Sequence, residues 1–283
     1  MRIWHQSFTD LDMVPLYRRT LVEHAAAVSD PGVSVTVHGL KPGTYGPDVA
    51  PIDAIRHPYL EMLNERQLIE AALTAEREGY DAMALACFYD PGIRAARSLV
   101  DMPIAGLSET AMLTACSLGQ RFALIALNED QQAQHEESAH AYGLESRFAA
   151  SLAMEPPIDE YMLEGNDDAT RPIVEGFRRA CRRAVDAGAD VIIPGDGVLN
   201  EFVWRKGLMR FEDAVVMDAL GVLFRYAAFM AGNRRTLGLQ VSRLRYYARP
   251  SAAMLAHARS FAGVEPIAEA EFSGGTEDKP DKP

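Results

Sequence analysis

The chain repeats itself. The run Gly79-Tyr80-Asp81-Ala82-Met83-Ala84-Leu85-Ala86-Cys87 lies without a gap over Gly188-Ala189-Asp190-Val191-Ile192-Ile193-Pro194-Gly195-Asp196. Each copy reads as a helix end, a Gly suited to the left-handed turn that follows a helix, an Asp, and an apolar strand. Each then ends on an ionisable side chain. The next strands correspond as well: residues 103–106 lead to Ser108, and residues 214–217 lead to Asp218. The opening residues 2–6 match residues 121–125. A chain built twice on one plan folds into two similar units, and the plan sets Cys87 and Asp196 at equivalent strand ends.

Around the repeat, short β-branched runs alternate with longer Ala/Leu/Arg/Glu segments, the pattern of an α/β protein with parallel strands. Strands are expected over 2–6, 33–37, 81–86, 103–106, 121–127, 190–194 and 214–217. Amphipathic helices are expected over 59–79, with Leu60, Leu63, Leu68, Ala72 and Leu73 on the buried face, and over 173–188. The predicted architecture is two pseudosymmetric lobes, each a parallel sheet flanked by helices, with the active-site cleft between them. The first lobe takes residues 1–115 plus 215–270 and the second takes 116–214. Residues 271–283, with Gly274-Gly275 followed by alternating charges and prolines, are expected to form a disordered tail. In open α/β sheets ligands bind beyond the carboxyl ends of the strands. Cys87 and Asp196 are therefore expected to face one another across the cleft.

With 48% apolar and 24% charged residues over 283 positions, the chain has an ordinary globular composition. Its net charge of −12 argues against nucleic acid or an anionic membrane surface as a partner. No apolar run has the length of a membrane span, and the opening Met1-Arg2-Ile3-Trp4-His5 does not read as a signal peptide. Three cysteines form no disulfide framework, so a reducing cytoplasm is the expected setting. Cys116 and Cys181 fall in apolar helical stretches and read as core. There is no GxxxxGK[ST] phosphate loop, and Gly43-Thr44-Tyr45-Gly46 is too short and irregular for a dinucleotide loop. His135 and His140 stand five apart, off a common helical face, and read as a solvated helix surface. No metal and no cofactor are expected.

Cys87 precedes Phe88-Tyr89-Asp90-Pro91-Gly92, in which Asp90 and Pro91 read as an N-cap and a first helical residue. A thiol in that position meets free N–H groups and the positive end of a helix dipole, which lower its pKa. The competing reading is a small buried hydrophobe. Asp196, in Pro194-Gly195-Asp196-Gly197, reads either as a turn residue or as an acid–base group, and its repeat partner Cys87 favours the second. Asn200 or Glu201 is expected to cap the next helix. Ser7, Thr9 and Ser108 follow strands and read either as caps or as ligand donors.

These residues resemble those of the aspartate/glutamate racemase superfamily, and most closely its hydantoin racemase-like branch. The resemblance rests on Arg2-Ile3-Trp4-His5-Gln6-Ser7-Phe8-Thr9, Glu76-Arg77-Glu78-Gly79-Tyr80-Asp81-Ala82, Cys87-Phe88-Tyr89-Asp90-Pro91-Gly92 and Ala189-Asp190-Val191-Ile192-Ile193-Pro194-Gly195. It implies two pseudosymmetric α/β lobes, no cofactor, and one cysteine from each lobe flanking the substrate carbon. Cys87 matches the first of those cysteines, whereas Asp196 stands where the second is expected. Ser7-Phe8-Thr9 stands where Asn-Pro-Asn is common.

The reading that follows is a cofactor-independent racemase or isomerase acting at the carbon next to a carboxylate or amide carbonyl of an amino acid, hydantoin or small dicarboxylate. Cys87 and Asp196 work from opposite faces, with Ser7, Thr9, Phe88, Tyr89, Ser108 and Gly197 as candidate substrate-binding residues. The alternatives are a decarboxylase or other lyase, a thiol-dependent hydrolase, and a non-catalytic protein that binds a small ligand. A small carboxylate or cyclic amide is the expected partner, and a homo-oligomer is the ordinary expectation. The unlike pair, with ordinary pKa values about four units apart, is expected to give the two residues fixed roles and to favour a one-way or stereospecific reaction.

Overall fold

The computed structural model describes residues 1–275. Strands β1 (Arg2–Ser7), β2 (Ser34–His38), β3 (Ala82–Ala86) and β4 (Ile104–Gly106) form a parallel sheet in the order β2-β1-β3-β4. Strands β5 (Phe122–Ala126), β6 (Phe148–Ala153), β7 (Val191–Pro194), β8 (Arg210–Phe211) and β9 (Ala214–Val216) form a second, in the order β6-β5-β7-β9-β8, with only β8 antiparallel. The two orders superpose: β1, β2, β3 and β4 correspond to β5, β6, β7 and β9. The repeat in sequence is thus a repeat of topology. Every residue of β3, β5 and β7 is buried, as unbroken apolar strands must be when helices cover both faces of a sheet.

Those helices are α1 (Pro15–Val28), α2 (Pro51–Ile55), α3 (Pro58–Arg77), α4 (Ile93–Leu99), α5 (Leu107–Leu118), α6 (Glu129–Ala141), α7 (Asp167–Asp186), α8 (Gly197–Arg205), α9 (Ala219–Leu237) and α10 (Ala252–Phe261). Helix α9 leaves the second lobe and packs against β1, β3, β4 and α5, completing the first. Because β9 pairs with β7, the return to the first lobe starts at α9 and not before β9. The seam is tied by His24 of α1, whose ring nitrogens meet Glu201 of α8 at 2.7 Å and the α9 N-cap Asp218 at 2.8 Å. Burial opposes a charge on His24, but hydrogen bonds to these two carboxylates outweigh it and raise its pKa to about 9.

The conserved plan of the two copies has a physical basis in each lobe. Gly79 and Gly188 follow α3 and α7 at φ +76° and +87°, a conformation that only Gly takes without strain. The next N–H groups, of Tyr80 and Ala189, each donate to a carbonyl five residues back at 3.0 Å, closing the same helix-ending motif. Asp81 Oδ2 then accepts the Arg2 N–H at 2.7 Å, and Asp190 Oδ2 accepts those of Gln120 at 2.7 Å and Arg121 at 3.1 Å. In both lobes the Asp pins the start of the neighbouring strand.

Several expectations are corrected. Strand β6, built of Phe148-Ala149-Ala150-Ser151-Leu152-Ala153, has too many small residues to read as a strand, and the two-residue β8 is too short. Leu60 and Leu63 lie on an exposed stretch of α3, while Leu68, Ala71, Ala72 and Ala75 make its buried face. The tail does not fray from residue 271. Phe272 is buried edge-on to Trp4, with centroids 5.6 Å apart, and Ser273 Oγ donates to the Leu40 carbonyl at 2.7 Å. Burial of an aromatic ring and a paired hydroxyl overcomes the polar, Gly-rich composition there; the rest of the expected tail, 276–283, lies outside the described residues.

Candidate active site

Cys87 follows β3, and Asp196 follows β7 by one residue and caps α8. A Cβ built on Gly197 would stand 3.7 Å from the Ala86 carbonyl oxygen and 3.0 Å from the Tyr17 hydroxyl. The loops bearing Cys87 and Asp196 therefore abut. They enclose one cleft, whose walls include the expected Ser7, Thr9, Phe88, Tyr89 and Gly197. The cavity is small, at about 20 Å³. A larger depression of about 770 Å³ lies between α3 and α6 and meets the cleft at Tyr89.

Ser108 is not part of this wall. It is fully buried in the first turn of α5, where its N–H donates to Asp90 Oδ1 at 3.1 Å. Asp90 also takes the Glu109 N–H at 2.9 Å and the Tyr142 hydroxyl at 2.6 Å, so it caps α5 and not the helix that follows it in sequence. That helix, α4, starts only at Ile93, with Gly92 as its N-cap. Cys87 thus lacks the helix terminus expected beside it.

The electrostatics follow from this placement. Burial pushes the Cys87 thiol well above its ordinary range, the charges of Glu61, Asp196 and Asp90 add to the shift, and the Tyr89 N–H opposes it. The thiol stays protonated at neutral pH, contrary to the lowered pKa expected from sequence. Burial also raises Asp196, against the Leu199 and Val198 N–H groups that its Oδ1 accepts at 3.0 and 2.8 Å. Asp196 keeps part of its surface exposed. It is both the α8 cap and a carboxyl on the cleft, so the two readings of the sequence hold together. Asn200 Oδ1 accepts the Ala219 N–H at 2.8 Å, in the first turn of α9, and Glu201 is engaged by His24.

His135 departs furthest from its expected surface place. It is fully buried, with Nδ1 2.8 Å from the Ser151 hydroxyl and Nε2 2.7 Å from the Gly195 carbonyl. Burial lowers its pKa to about 4, against the hydrogen bond to Gly195. The neutral ring therefore donates from Nε2 to Gly195 and accepts from Ser151 at Nδ1, fixing the residue before Asp196. His135→Ala should lower kcat by about tenfold or more through displacement of Asp196, and stability by about 1–3 kcal/mol through the orphaned groups. Turnover per folded molecule and thermal unfolding check the two effects separately.

Two polar cleft residues escaped the sequence reading. Tyr17 lies in the first turn of α1, where nothing local distinguishes it from a core aromatic. Glu160 lies in the loop after β6, and missing that strand hid the loop's position at a strand's carboxyl end. Among the described residues no group of three or more His, Cys, Asp and Glu is placed to hold a metal, and no helix is long and apolar enough to cross a membrane.

Two similar parallel-sheet lobes closing on ionisable groups at equivalent strand ends define a racemase-like α/β isomerase fold. Residues 16–206 match the family model described as Asp/Glu/Hydantoin racemase, and the chain belongs to that family. A hydantoin racemase from Pseudomonas sp. (strain NS671) is 27% identical over 198 residues, covering 70% of this chain and 75% of that protein. One from Paenarthrobacter aurescens is 26% identical over 227 residues, covering 80% and 91%. In fold, the chain is similar to an allantoin racemase from Klebsiella pneumoniae, with TM-score 0.71, 24% identity, and coverage of 89% of this chain and 94% of that one. An allantoin racemase from Pseudomonas fluorescens gives 0.68 at 21% identity, covering 89% and 97%.

Proposed function

We propose that this protein is a cofactor-independent racemase of hydantoins or closely related neutral cyclic amides, with Asp196 as base and Cys87 as acid. The observation that carries the reading is the cleft itself: a thiol and a carboxyl at equivalent strand ends, a second carboxyl beside them, and no Lys or Arg among the described residues of the wall. A substrate carboxylate would meet like charge there, which disfavours free amino acids, dicarboxylates and decarboxylation substrates. A protonated thiol is a poor nucleophile, which disfavours hydrolysis through Cys87. Similarity to hydantoin racemases supports the same substrate class.

In this mechanism the Asp196 carboxylate takes the proton from the carbon beside the ring carbonyl. The C–H electron pair moves into an enolate, and the Cys87 S–H delivers a proton to the opposite face. Cys87 is left as thiolate and Asp196 as acid, and one proton returns from Asp196 to Cys87 through solvent before the next turnover. The Ser7 and Thr9 hydroxyls and the backbone after Cys87 offer hydrogen bonds to the ring.

The pH profile tests these roles. The base must be ionised, so kcat/KM falls as pH falls through the raised pKa of Asp196, above its ordinary 3.8. The acid must be protonated, and burial raises Cys87 above its ordinary 9.0, so the rate should hold to beyond pH 9. An alkaline limb below about pH 8.5, the ordinary thiol range, contradicts the assignment.

A further inference from the structure

Among the described residues, Glu160 is the one carboxyl lining the cleft that the mechanism above leaves unused. It precedes the short helical turn Tyr161–Glu164 of the second lobe and lies against α2 of the first, where the Ile52 N–H reaches its carboxyl. It is only 2% exposed, yet it lines the cleft, and its Oε2 has no hydrogen-bond partner among the described residues. A carboxyl oxygen is seldom buried without a partner unless a ligand or water completes it.

The turn that carries Glu160 is held in place. Tyr161 donates its hydroxyl to the Val49 carbonyl at 3.0 Å, and Glu164 accepts the Leu16 and Tyr17 N–H groups at 2.7 and 2.8 Å. All three contacts reach from the second lobe to the first. Glu160 is therefore placed by its neighbours on both sides of the cleft.

The charged groups that act on it most are acidic. Burial raises its pKa well above the ordinary carboxyl range, and the negative charges of Asp196 and Asp159 add to the shift. Two carboxyls that share one cleft oppose each other's ionisation. Asp196 accepts two backbone N–H groups through Oδ1 and keeps part of its surface exposed, whereas Glu160 is all but fully buried with Oε2 unpartnered, and burial outweighs the backbone N–H groups that reach its carboxyl. The charge therefore settles on Asp196, and the proton settles on Glu160.

We propose that Glu160 acts as a neutral carboxylic acid whose O–H donates a hydrogen bond to the ring carbonyl oxygen of the substrate, where enolate charge collects when Asp196 removes the adjacent proton. The proposal rests on the hydantoin-type reaction above and gives that reaction its electrophile. It also ties Glu160 to substrate class. A carbonyl oxygen accepts from a neutral acid, while a second cationic or N–H donor in place of Glu160 would suit a carboxylate better.

Two arms test it. In the first, infrared spectra of the whole protein are taken at pH 8, above the raised values of Asp90, about 6, and Glu61, about 7. A protonated-carboxyl C=O stretch should be present in wild type, retained in Asp196→Asn and lost in Glu160→Gln. Absence of such a band from wild type, or a wild-type minus Glu160→Gln difference spectrum without one, overturns the proposal. In the second, racemisation of a 5-substituted hydantoin is followed. Glu160→Ala should lower kcat by about 10²-fold or more, the scale of one lost donor to an oxyanion, with KM changed only a few-fold. Glu160→Gln, which keeps an N–H donor, should recover most of that loss. Equal kcat in Glu160→Ala and wild type overturns the proposal. A wild type that leaves every hydantoin unchanged counts instead against the function proposed above, and the infrared arm then decides Glu160 on its own.

Discussion

Asp196→Asn should lower hydantoin racemisation by about 10²–10⁴-fold, the contribution of a positioned base, while the protein stays folded. The second half of that expectation makes the first interpretable. Asp196 is the N-cap of α8, accepting the Val198 and Leu199 N–H groups, and Asn caps a helix about as well as Asp. The substitution keeps an acceptor oxygen for those donors and removes only the ability to take a proton. An unfolded or strongly destabilised variant would mean that the carboxyl is needed chiefly for structure. A folded variant with wild-type turnover would remove Asp196 from the chemistry.

Cys87→Ser is the complementary case. Ser keeps the shape of the side chain but its hydroxyl is a far weaker acid, so inversion should fall by at least about 10²-fold. Proton removal on the Asp196 face needs no thiol. For the enantiomer that presents its hydrogen to Asp196, exchange with solvent deuterium should therefore suffer less than inversion does. Equal losses in exchange and inversion for both enantiomers would contradict separate roles for the two residues. A core role for the cysteine, buried at 8% exposure, would appear instead as lower stability with normal turnover per folded molecule.

The unlike pair carries one further consequence. Racemisation has an equilibrium constant of one, so kcat/KM must be the same for the two enantiomers, and a fixed base and acid cannot make the reaction one-way. The asymmetry expected from an Asp facing a thiol belongs in kcat and KM taken separately. Burial raises Asp196 and Cys87 alike, so it does not close the gap between them.

What the sequence revealed of this fold was whatever repeated. Gly79 with Asp81 and Gly188 with Asp190 are paired because each lobe ends a helix and pins a strand in the same way. That local chemistry leaves a fixed signature in the chain. Cys87, Asp196 and the Ser7–Thr9 loop followed from it, since the carboxyl ends of equivalent strands meet at one cleft. What stayed hidden was set by contacts distant in sequence. Asp90 caps a helix 17 residues further on in place of its own neighbour, which removes the helix terminus from Cys87. His135 is buried by the Gly195 loop, 60 residues away. Glu160 enters the cleft only because a strand of small residues, β6, carries the chain there. No spacing within any of these segments encodes the partner.

The central claim is that this cleft moves the proton beside a carbonyl of a neutral ring. Wild-type protein incubated with one enantiomer of a 5-substituted hydantoin in D₂O, followed by proton NMR and optical rotation, tests it most directly. The ring C–H signal should be lost while optical rotation decays to zero, both faster than in buffer alone and both suppressed in Asp196→Asn. Retention of the signal and the rotation at the buffer rate, with hydantoins of several side chains, would contradict it.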